Sequence, residues 1–399
     1  MESGSINVKN YLHLRIKSRR LLNIIILSII FIYPTSICQT PERVYRYCYT
    51  QESKEWYEEQ TGLWKNEVRL NPTDIDAWYN YFFATRYANF SMEEKERSKL
   101  LNSIIDDISK AVPNSYLHHY LLYYNGDRNV EHLEKALLKN PNCADLYWEF
   151  IQYYELNGYQ EQKKKFCKKL YLSNDIISSL YDYNFNALNS AETNSILFTN
   201  GDNDNYPAWV LQDAKGIRQD VTILNAHTIF VLRDYLKLKL KQREIEIDFE
   251  KLSTEEIDVF LKELINEIKN KYAGISIHVA MTVYDDYIKE IKDNLYITGL
   301  AYTFSEVPID NVSMIKNNFE KNLRLDYLDY DWYNEKHISK SMMNRYNLNY
   351  IPAIIELVRE YYSRGNIESA DYWKGKGLIL ADRVNDSSLI EEIKSIKHK

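Results

Sequence analysis

Glycine and proline are scarce in this chain of 399 residues, at 11 and 8. Their scarcity excludes collagen-like, low-complexity and proline-rich linker architectures. Cysteine is rare too, with four residues and no CxxC pair of the metal-binding type, so no zinc ribbon is indicated. The P-loop, G-x-G-x-x-G, G-x-S-x-G and H-E-x-x-H motifs are missing, and the sequence therefore predicts no cofactor and no catalytic residue from a known motif.

Long apolar runs and basic stripes are missing as well. No segment after residue 38 approaches the ~18 apolar residues that a membrane-spanning helix needs, so no transmembrane segment is predicted in the mature chain. The net charge is −7, and lysine and arginine do not cluster into a stripe. Because phosphate neutralisation supplies most of the affinity for nucleic acid, no nucleic-acid partner is predicted.

Residues 1–38 have the order of a secretory signal peptide. An apolar run from Leu21 to Tyr33 follows four basic residues, and the small residues Ser36 and Cys38 precede Gln39. Two alternatives remain open, a lipid anchor on Cys38 and an uncleaved anchor. The pattern predicts an exported bacterial protein of the periplasm or cell envelope.

Tyrosine is abundant, with 35 residues beside 13 Phe and 7 Trp. Many tyrosines recur at helical core spacing, for example Tyr79, Tyr120 and Tyr147, which favours compositional bias and packing over function. The tyrosines that remain candidates for ligand contact are Tyr206, Tyr284 and the cluster from Tyr327 to Tyr333.

Residues 39–189 are predicted to be helical. The segment from Asn140 has helical spacing of apolar residues on both sides of an Asn157-Gly158 turn, and an earlier segment from Asn71 opens with the same Asn-Pro pair. This pattern resembles the tetratricopeptide repeat, a helical hairpin of ~34 residues. Residues 311–399 are predicted to form a C-terminal helical region, with another such hairpin turning at Gly365.

Residues 190–310 have a different pattern, of short apolar runs alternating with helical segments. The first runs are Ser195–Thr199 and Asp220–Leu224, with a helix from Pro207 to Lys215 between them. Runs of this kind are typical of buried parallel strands. The predicted fold is therefore mainly α with an inserted α/β unit, in which tetratricopeptide-like hairpins flank a small parallel three-layer α/β domain.

One loop of this domain, the GDND loop, is the candidate binding site. It follows the first strand as Asn-Gly-Asp-Asn-Asp-Asn-Tyr-Pro, and ligands of parallel sheets bind at the carboxyl ends of the strands. We therefore expect polar side chains from two loops to meet there: Asp202, Asp204, Asn205, Tyr206, Asn225 and His227. Three interpretations stay open, namely structural capping of the helix, a polar ligand such as a sugar, and a divalent cation of unknown identity.

The stretch SILFTNGDNDNYPAWVLQDAKGIRQDVTILNAHTI resembles the extracytoplasmic C-terminal region of a bacterial membrane-protein family related to protein O-mannosyltransferases. The later stretch HVAMTVYDDYIKEIKDNLYITGLAYTF resembles the same region, and the resemblance extends over residues 190–385. Asn205 stands where the family has Thr, and the membrane helices that hold the family's transferase chemistry are missing here. The resemblance therefore implies the fold of an accessory domain and transfers no active site.

These observations together favour a secreted, non-enzymatic interaction or scaffold protein of the cell envelope, with a protein or polysaccharide partner. The alternative is a carbohydrate-active or divalent-cation-dependent enzyme, or an accessory subunit of a membrane glycosyltransferase, that uses the GDND loop.

Overall fold

The computed structural model describes residues 40–49, 51–330 and 339–397. The expected signal peptide, the lipid-anchor alternative at Cys38 and the residues around Tyr333 lie outside the described residues. Across the three described ranges, no helix is long and apolar enough to span a bilayer.

Helices dominate the described chain, in which five short strands form one sheet. In chain order the helices are α1 (Lys54–Leu70), α2 (Ile75–Ala88), α3 (Glu94–Ala111), α4 (Tyr116–Asn125), α5 (Val130–Lys139), α6 (Ala144–Asn157), α7 (Gln160–Ser173), α8 (Ser178–Ser190), α9 (Asp202–Lys215), α10 (Ala226–Val231), α11 (Arg233–Gln242), α12 (Ile257–Lys271), α13 (Asp285–Ile288), α14 (Asn311–Asn317), α15 (Ser339–Asn347), α16 (Ile351–Ser363), α17 (Ile367–Asp382) and α18 (Ser387–Ser395). The strands are β1 (Ile196–Thr199), β2 (Thr222–Asn225), β3 (Ile277–Ala280), β4 (Leu295–Ile297) and β5 (Ala301–Phe304). The predicted class, mainly α with an inserted α/β unit, is confirmed.

The described chain divides into two compact units. The first contains residues 40–44 and the α1–α2 hairpin, and the second contains residues 45–53 and everything from Asn89 onward. In the first unit, the Val44 amide donates to Asn80 Oδ1 at 2.7 Å, which ties the extended residues to α2. The boundaries proposed from the sequence, at residues 189 and 310, stay predictions.

Consecutive hairpins form the helical part of the second unit. Helix α4 pairs with α5, α6 with α7, and α16 with α17. Gly158 (φ 77°) and Gly365 (φ 71°) turn the last two hairpins in the left-handed region that glycine adopts without a steric penalty. The predicted turns and the helical-repeat character are therefore confirmed.

The sheet has the strand order β2-β1-β3-β5-β4. Strands β2 and β3 flank β1 in parallel, with Ile196 opposite both Thr222 and Ile277. The expectation of a purely parallel sheet is wrong in one respect, because β5 runs antiparallel to both β3 and β4. A short return from β4 through Gly299 reverses the chain, and three residues are too few for β4 to stand out as an apolar run.

The helix after β1 begins earlier than predicted. The sequence places its start at Pro207, whereas α9 begins at Asp202, with Gly201 as its N-cap residue and Pro207 inside the helix. Proline has no N–H to donate to the carbonyl four residues earlier, which here belongs to Asn203. The Asn184 side-chain amide donates to that carbonyl at 2.8 Å, and this replacement allows the helix to continue through the proline.

Candidate functional site

The candidate site lies where β1, β2 and β3 end. Because the three strands are parallel neighbours, their carboxyl ends share one edge of the sheet. Asp202 and Asp204 follow β1, His227 follows β2, and Thr282 and Tyr284 follow β3. The geometry at this edge separates residues that support the loop from residues that a ligand can reach.

Asp204 supports the loop. It is buried, and its Oδ2 accepts hydrogen bonds from the Thr282 hydroxyl at 2.6 Å and the Asn200 amide at 3.1 Å. Burial raises the pKa of Asp204, while its bonds to Thr282, Asn200 and Gly201 oppose the rise. The side chain thus joins the ends of β1 and β3.

Asn205 and Asn225 are also engaged within the protein. Asn205 Oδ1 accepts from the Thr199 hydroxyl at 2.5 Å. Asn225 donates to the Asn200 carbonyl and accepts from the Thr228 amide at 2.8 Å, as an N-cap residue does. These bonds correspond to the structural capping that the sequence left open.

Asp202 is the accessible carboxyl of the loop. Its side chain is exposed to solvent. Desolvation by nearby protein atoms raises the pKa of Asp202 to about 6; the carboxylates of Glu149 and Asp204 add to the shift, and the Arg46 guanidinium opposes it. A carboxyl that titrates near neutrality can accept a hydrogen bond from a ligand when ionised and donate one when protonated.

Tyr206 is buried within an aromatic cluster. Its ring lies 4.8 Å from that of Trp148 and 5.4 Å from that of Trp209, both edge-on, and 5.5 Å from Tyr47. Its hydroxyl has no hydrogen-bond partner within the described ranges. The structure therefore places Tyr206 beneath the surface, apart from the exposed side chains of the same edge.

His227 belongs to a group that the sequence identified only in part. His227 and Tyr287 stack with a centroid distance of 6.4 Å and an interplanar angle of 18°, and Tyr284 meets Tyr287 edge-on at 5.4 Å. Tyr284 is 60% exposed and His227 is exposed, while Tyr287 is half-buried. We call these three residues the aromatic strip. The spacing of Tyr284 and Tyr287, three residues apart at a helix start, was the available signal for Tyr287.

A polar cleft of about 320 Å³ lies elsewhere in the second unit, beside β2. Lys163, Asp213, Lys239 and Arg243 contribute its charged lining. Glu155 is buried there and accepts from Lys163 at 2.6 Å and from Lys239 at 2.7 Å. Burial alone raises the pKa of Glu155, but the two ammonium groups outweigh it and hold the pKa well below its usual range. This is a structural charge network.

Metal ligands do not gather at the GDND loop. Over residues 40–49, 51–330 and 339–397, no group of three or more His, Cys, Asp or Glu side chains is placed to hold a metal ion. Asp202, the accessible carboxyl of the GDND loop, and the aromatic strip are instead suited to a neutral polar ligand with an apolar face.

The comparisons with known proteins agree with part of this picture. Residues 180–232 match the protein family described as TMEM260-associated domain 2. The match contains most of α8, then β1, the GDND loop, β2 and His227. The similarity is to this family over that segment, which is less than half of the chain. No curated protein matches the chain.

Among solved structures, the crystal structure of the yeast Tom70 aligns with 87% of this chain and 61% of its own, at 13% identity and a TM-score of 0.27. The alignment thus covers less than two thirds of the yeast chain. A score this low supports no conclusion about fold or function, so the helical-repeat assignment depends on the hairpins themselves.

Proposed function

We propose that the chain is a non-catalytic binding module that holds a glycan at the carboxyl edge of its sheet. The observation that carries this proposal is the aromatic strip, three neighbouring rings, two of them exposed, on the sheet edge that also carries the exposed carboxyl of Asp202. Contiguous exposed apolar surface on a protein commonly marks an interaction site.

Sugar chemistry fits this arrangement. A pyranose ring has an apolar C–H face that can lie against the rings of Tyr284 and Tyr287, and tyrosine combines an apolar body with a polar hydroxyl. Hydroxyl groups at the rim of the sugar can donate to Asp202. A few directional polar groups around an apolar contact are typical of small-ligand sites.

The similarity of residues 180–232 to a TMEM260-associated domain supports mannose-containing chains as the first ligand class. TMEM260 itself is a protein O-mannosyltransferase-like protein. A binding role is favoured over hydrolysis, because glycosidases generally use two carboxyl groups and Asp204 is committed to Thr282 and Asn200.

We further propose that the module works in the cell envelope as an exported protein. This part depends on the order of residues 1–38 in the sequence. The helical hairpins would then hold a protein partner, for which a membrane glycosyltransferase is the candidate, while the sheet edge holds the glycan.

The test is direct titration of the chain with mannobiose, cellobiose, chitobiose and lactose by calorimetry. We expect mannobiose to bind, and each of Tyr284→Ala and Tyr287→Ala to weaken binding by roughly tenfold, about the value of one aromatic contact. Asp202→Asn should weaken it less, because the amide retains an acceptor oxygen.

Tyr372→Ala is the matched control, since Tyr372 is an exposed tyrosine of α17 outside the strip. Its substitution should leave the affinity for mannobiose unchanged. The proposal fails if none of the four disaccharides binds, or if binding survives the combined loss of Tyr284 and Tyr287.

One observation favours a second function. A pKa of about 6 at Asp202 is suitable for a general acid, so hydrolysis of a sugar is the alternative. Release of reducing ends from the same disaccharides, lost in Asp202→Asn, would replace the binding proposal with an enzymatic one.

A further inference from the structure

Residues 45–49 form an irregular segment of the second unit, with bends at residues 47–49 and a positive φ of 58° at Cys48. We call it the strap. Its Arg46 side chain is only 3% exposed, which is unusual for arginine outside a helix or strand. The burial of a charged side chain in an irregular segment indicates that the surrounding helices form a specific receptor for it.

The guanidinium of Arg46 lies in a cage of aromatic rings. Its Cζ is 4.3 Å from the centroid of the Tyr124 ring and 5.4 Å from that of Tyr120, both on α4. Its Nη2 donates to Glu149 Oε1 of α6 at 2.9 Å. Rings around a cation with a carboxylate at the end are a recognised way to bind guanidinium and ammonium groups.

Tyr47 supplies the second anchor of the strap. Its ring stacks on Trp148 with a centroid distance of 4.9 Å and an angle of 18°, and it leans against Tyr206. Its hydroxyl donates to the same Glu149 Oε1 at 2.7 Å. One carboxylate, that of Glu149, therefore accepts hydrogen bonds from both Arg46 and Tyr47.

The receptor belongs to the helices and not to the strap. Glu149 also accepts from Arg128 at 3.2 Å and from the Tyr120 hydroxyl at 3.4 Å, so it is oriented by groups of α4 and of the loop that follows. Five residues make up this strap receptor: Tyr120, Tyr124, Trp148, Glu149 and Tyr206. Four of them come from α4 and α6, helices of two successive hairpins, and Tyr206 comes from α9. Successive helical hairpins are the elements with which repeat proteins bind other chains.

We propose that the strap receptor is a peptide-binding site for an arginine followed by an aromatic residue, which the strap fills in cis until a segment of a partner protein with the same pair displaces it. The occupant observed in the receptor defines the chemistry of the partner, because Arg46 and Tyr47 use charge, hydrogen bonds and ring stacking together. The proposal is independent of glycan binding at the aromatic strip.

Because the strap is covalently linked to its receptor, it competes strongly with a free peptide for that site. A short linked segment has an effective concentration of ~1 mM at its own site. A free peptide with an intrinsic Kd of ~10 μM would therefore bind the wild-type chain roughly 100-fold more weakly than a chain whose receptor is empty. This ratio gives the proposal a quantitative signature.

The experiment uses the full chain with Arg46→Ala and Tyr47→Ala combined, and a fluorescent peptide with the sequence of residues 43–49 in which Ser replaces Cys48. Anisotropy should show binding to this emptied receptor, and binding at least 30-fold weaker to the wild-type chain. A peptide with Ala at the position of Arg46, and the emptied chain that also carries Glu149→Gln, should both show no binding.

A second measurement needs no substitution. Cys48 lies in the strap, is buried, and donates through its thiol to the Asp202 carbonyl at 4.0 Å. Excess peptide should displace the strap of the wild-type chain and so increase the rate at which Cys48 is alkylated, while the Ala-containing peptide should not.

The proposal is overturned if the emptied chain, shown by circular dichroism to be folded, does not bind the strap peptide. It is overturned too if this chain binds the strap peptide and the Ala-containing peptide equally. It is overturned as well if a saturating amount of peptide leaves Cys48 of the wild-type chain as protected as before. Because the wild-type measurement does not depend on the variant, misfolding of the double variant still leaves a decisive result.

Discussion

The side-chain amide of Asn184 donates at 2.8 Å to the carbonyl of Asn203, the carbonyl from which Pro207 withholds a helical hydrogen bond. One residue of α8 thus completes the backbone of α9. The relationship explains how the GDND loop can form the first turn of a helix that contains a proline, and it places Asp202 and Asp204 on a fixed backbone.

Replacement of Asn184 should therefore destabilise the chain. We expect Asn184→Ala to lower the free energy of unfolding by ~1–3 kcal/mol, because the half-buried carbonyl of Asn203 loses its donor. Urea denaturation measures the change. In the Pro207→Ala background the loss should shrink, since an N–H is restored.

Asn189→Ala is the matched control on the same helix. Asn189 donates to the Phe185 carbonyl of its own helix, at 2.8 Å. Its replacement therefore removes no hydrogen bond to a carbonyl that a proline leaves without its helical donor. Equal losses for the two asparagines, unchanged by Pro207→Ala, would contradict the role assigned to Asn184.

Asp202 should make stability depend on pH in the acid range. Its pKa is about 6 in the folded chain against an ordinary value of 3.8, so the folded state binds the proton more tightly than the unfolded state. Stability relative to Asp202→Asn should therefore fall as the pH rises from 3.8 to about 6, and then level off. Thermal unfolding of both chains across this window measures the trend, with Asp107→Asn on the exposed face of α3 as the control. A difference that stays constant with pH would contradict it.

Disruption of the charge network around Glu155 should strongly lower the free energy of unfolding. We expect Glu155→Gln to lower the free energy of unfolding by ~3–5 kcal/mol, because the buried Lys163 and Lys239 lose their shared counter-charge. Glu161→Gln, an exposed substitution on α7, should change it by less than ~0.5 kcal/mol. Urea denaturation distinguishes the two.

The same network has a pH signature with a definite sign. Because the folded pKa of Glu155 is lowered from 4.5, the stability it supplies is complete above that value and is lost as the chain is acidified further. Lys239→Met weakens this network. Acid unfolding of the Lys239→Met variant should consequently begin at a higher pH than acid unfolding of the wild-type chain.

The cysteines should differ in reactivity. Cys48 and Cys167 are buried, and burial raises the pKa of both thiols, whereas Cys143 is half-buried. In the native chain we expect iodoacetamide to modify Cys143 first and the other two at least tenfold more slowly, because the thiolate is the reactive form. Mass spectrometry of tryptic peptides measures the order, and urea should abolish the differences.

The sequence predicted the elements whose signals are local. Apolar spacing revealed the helical hairpins, Gly158 and Gly365 marked their turns, and short apolar runs revealed β1 and β2. It also identified the GDND loop and the edge of the sheet at which Asp202 and His227 lie, because parallel strands bring their carboxyl ends together.

The tertiary structure decided which of these residues a ligand can reach. Asp204, Asn205 and Asn225 are polar candidates beside Asp202 in the sequence, but they are hydrogen-bonded to Thr282, Thr199 and Thr228 respectively. Only packing shows which polar group has a partner. The strap receptor joins Arg46 to Glu149 across 103 residues. No periodicity links two positions so far apart, since such a contact arises only when the chain has folded and burial forces each charge to find a partner.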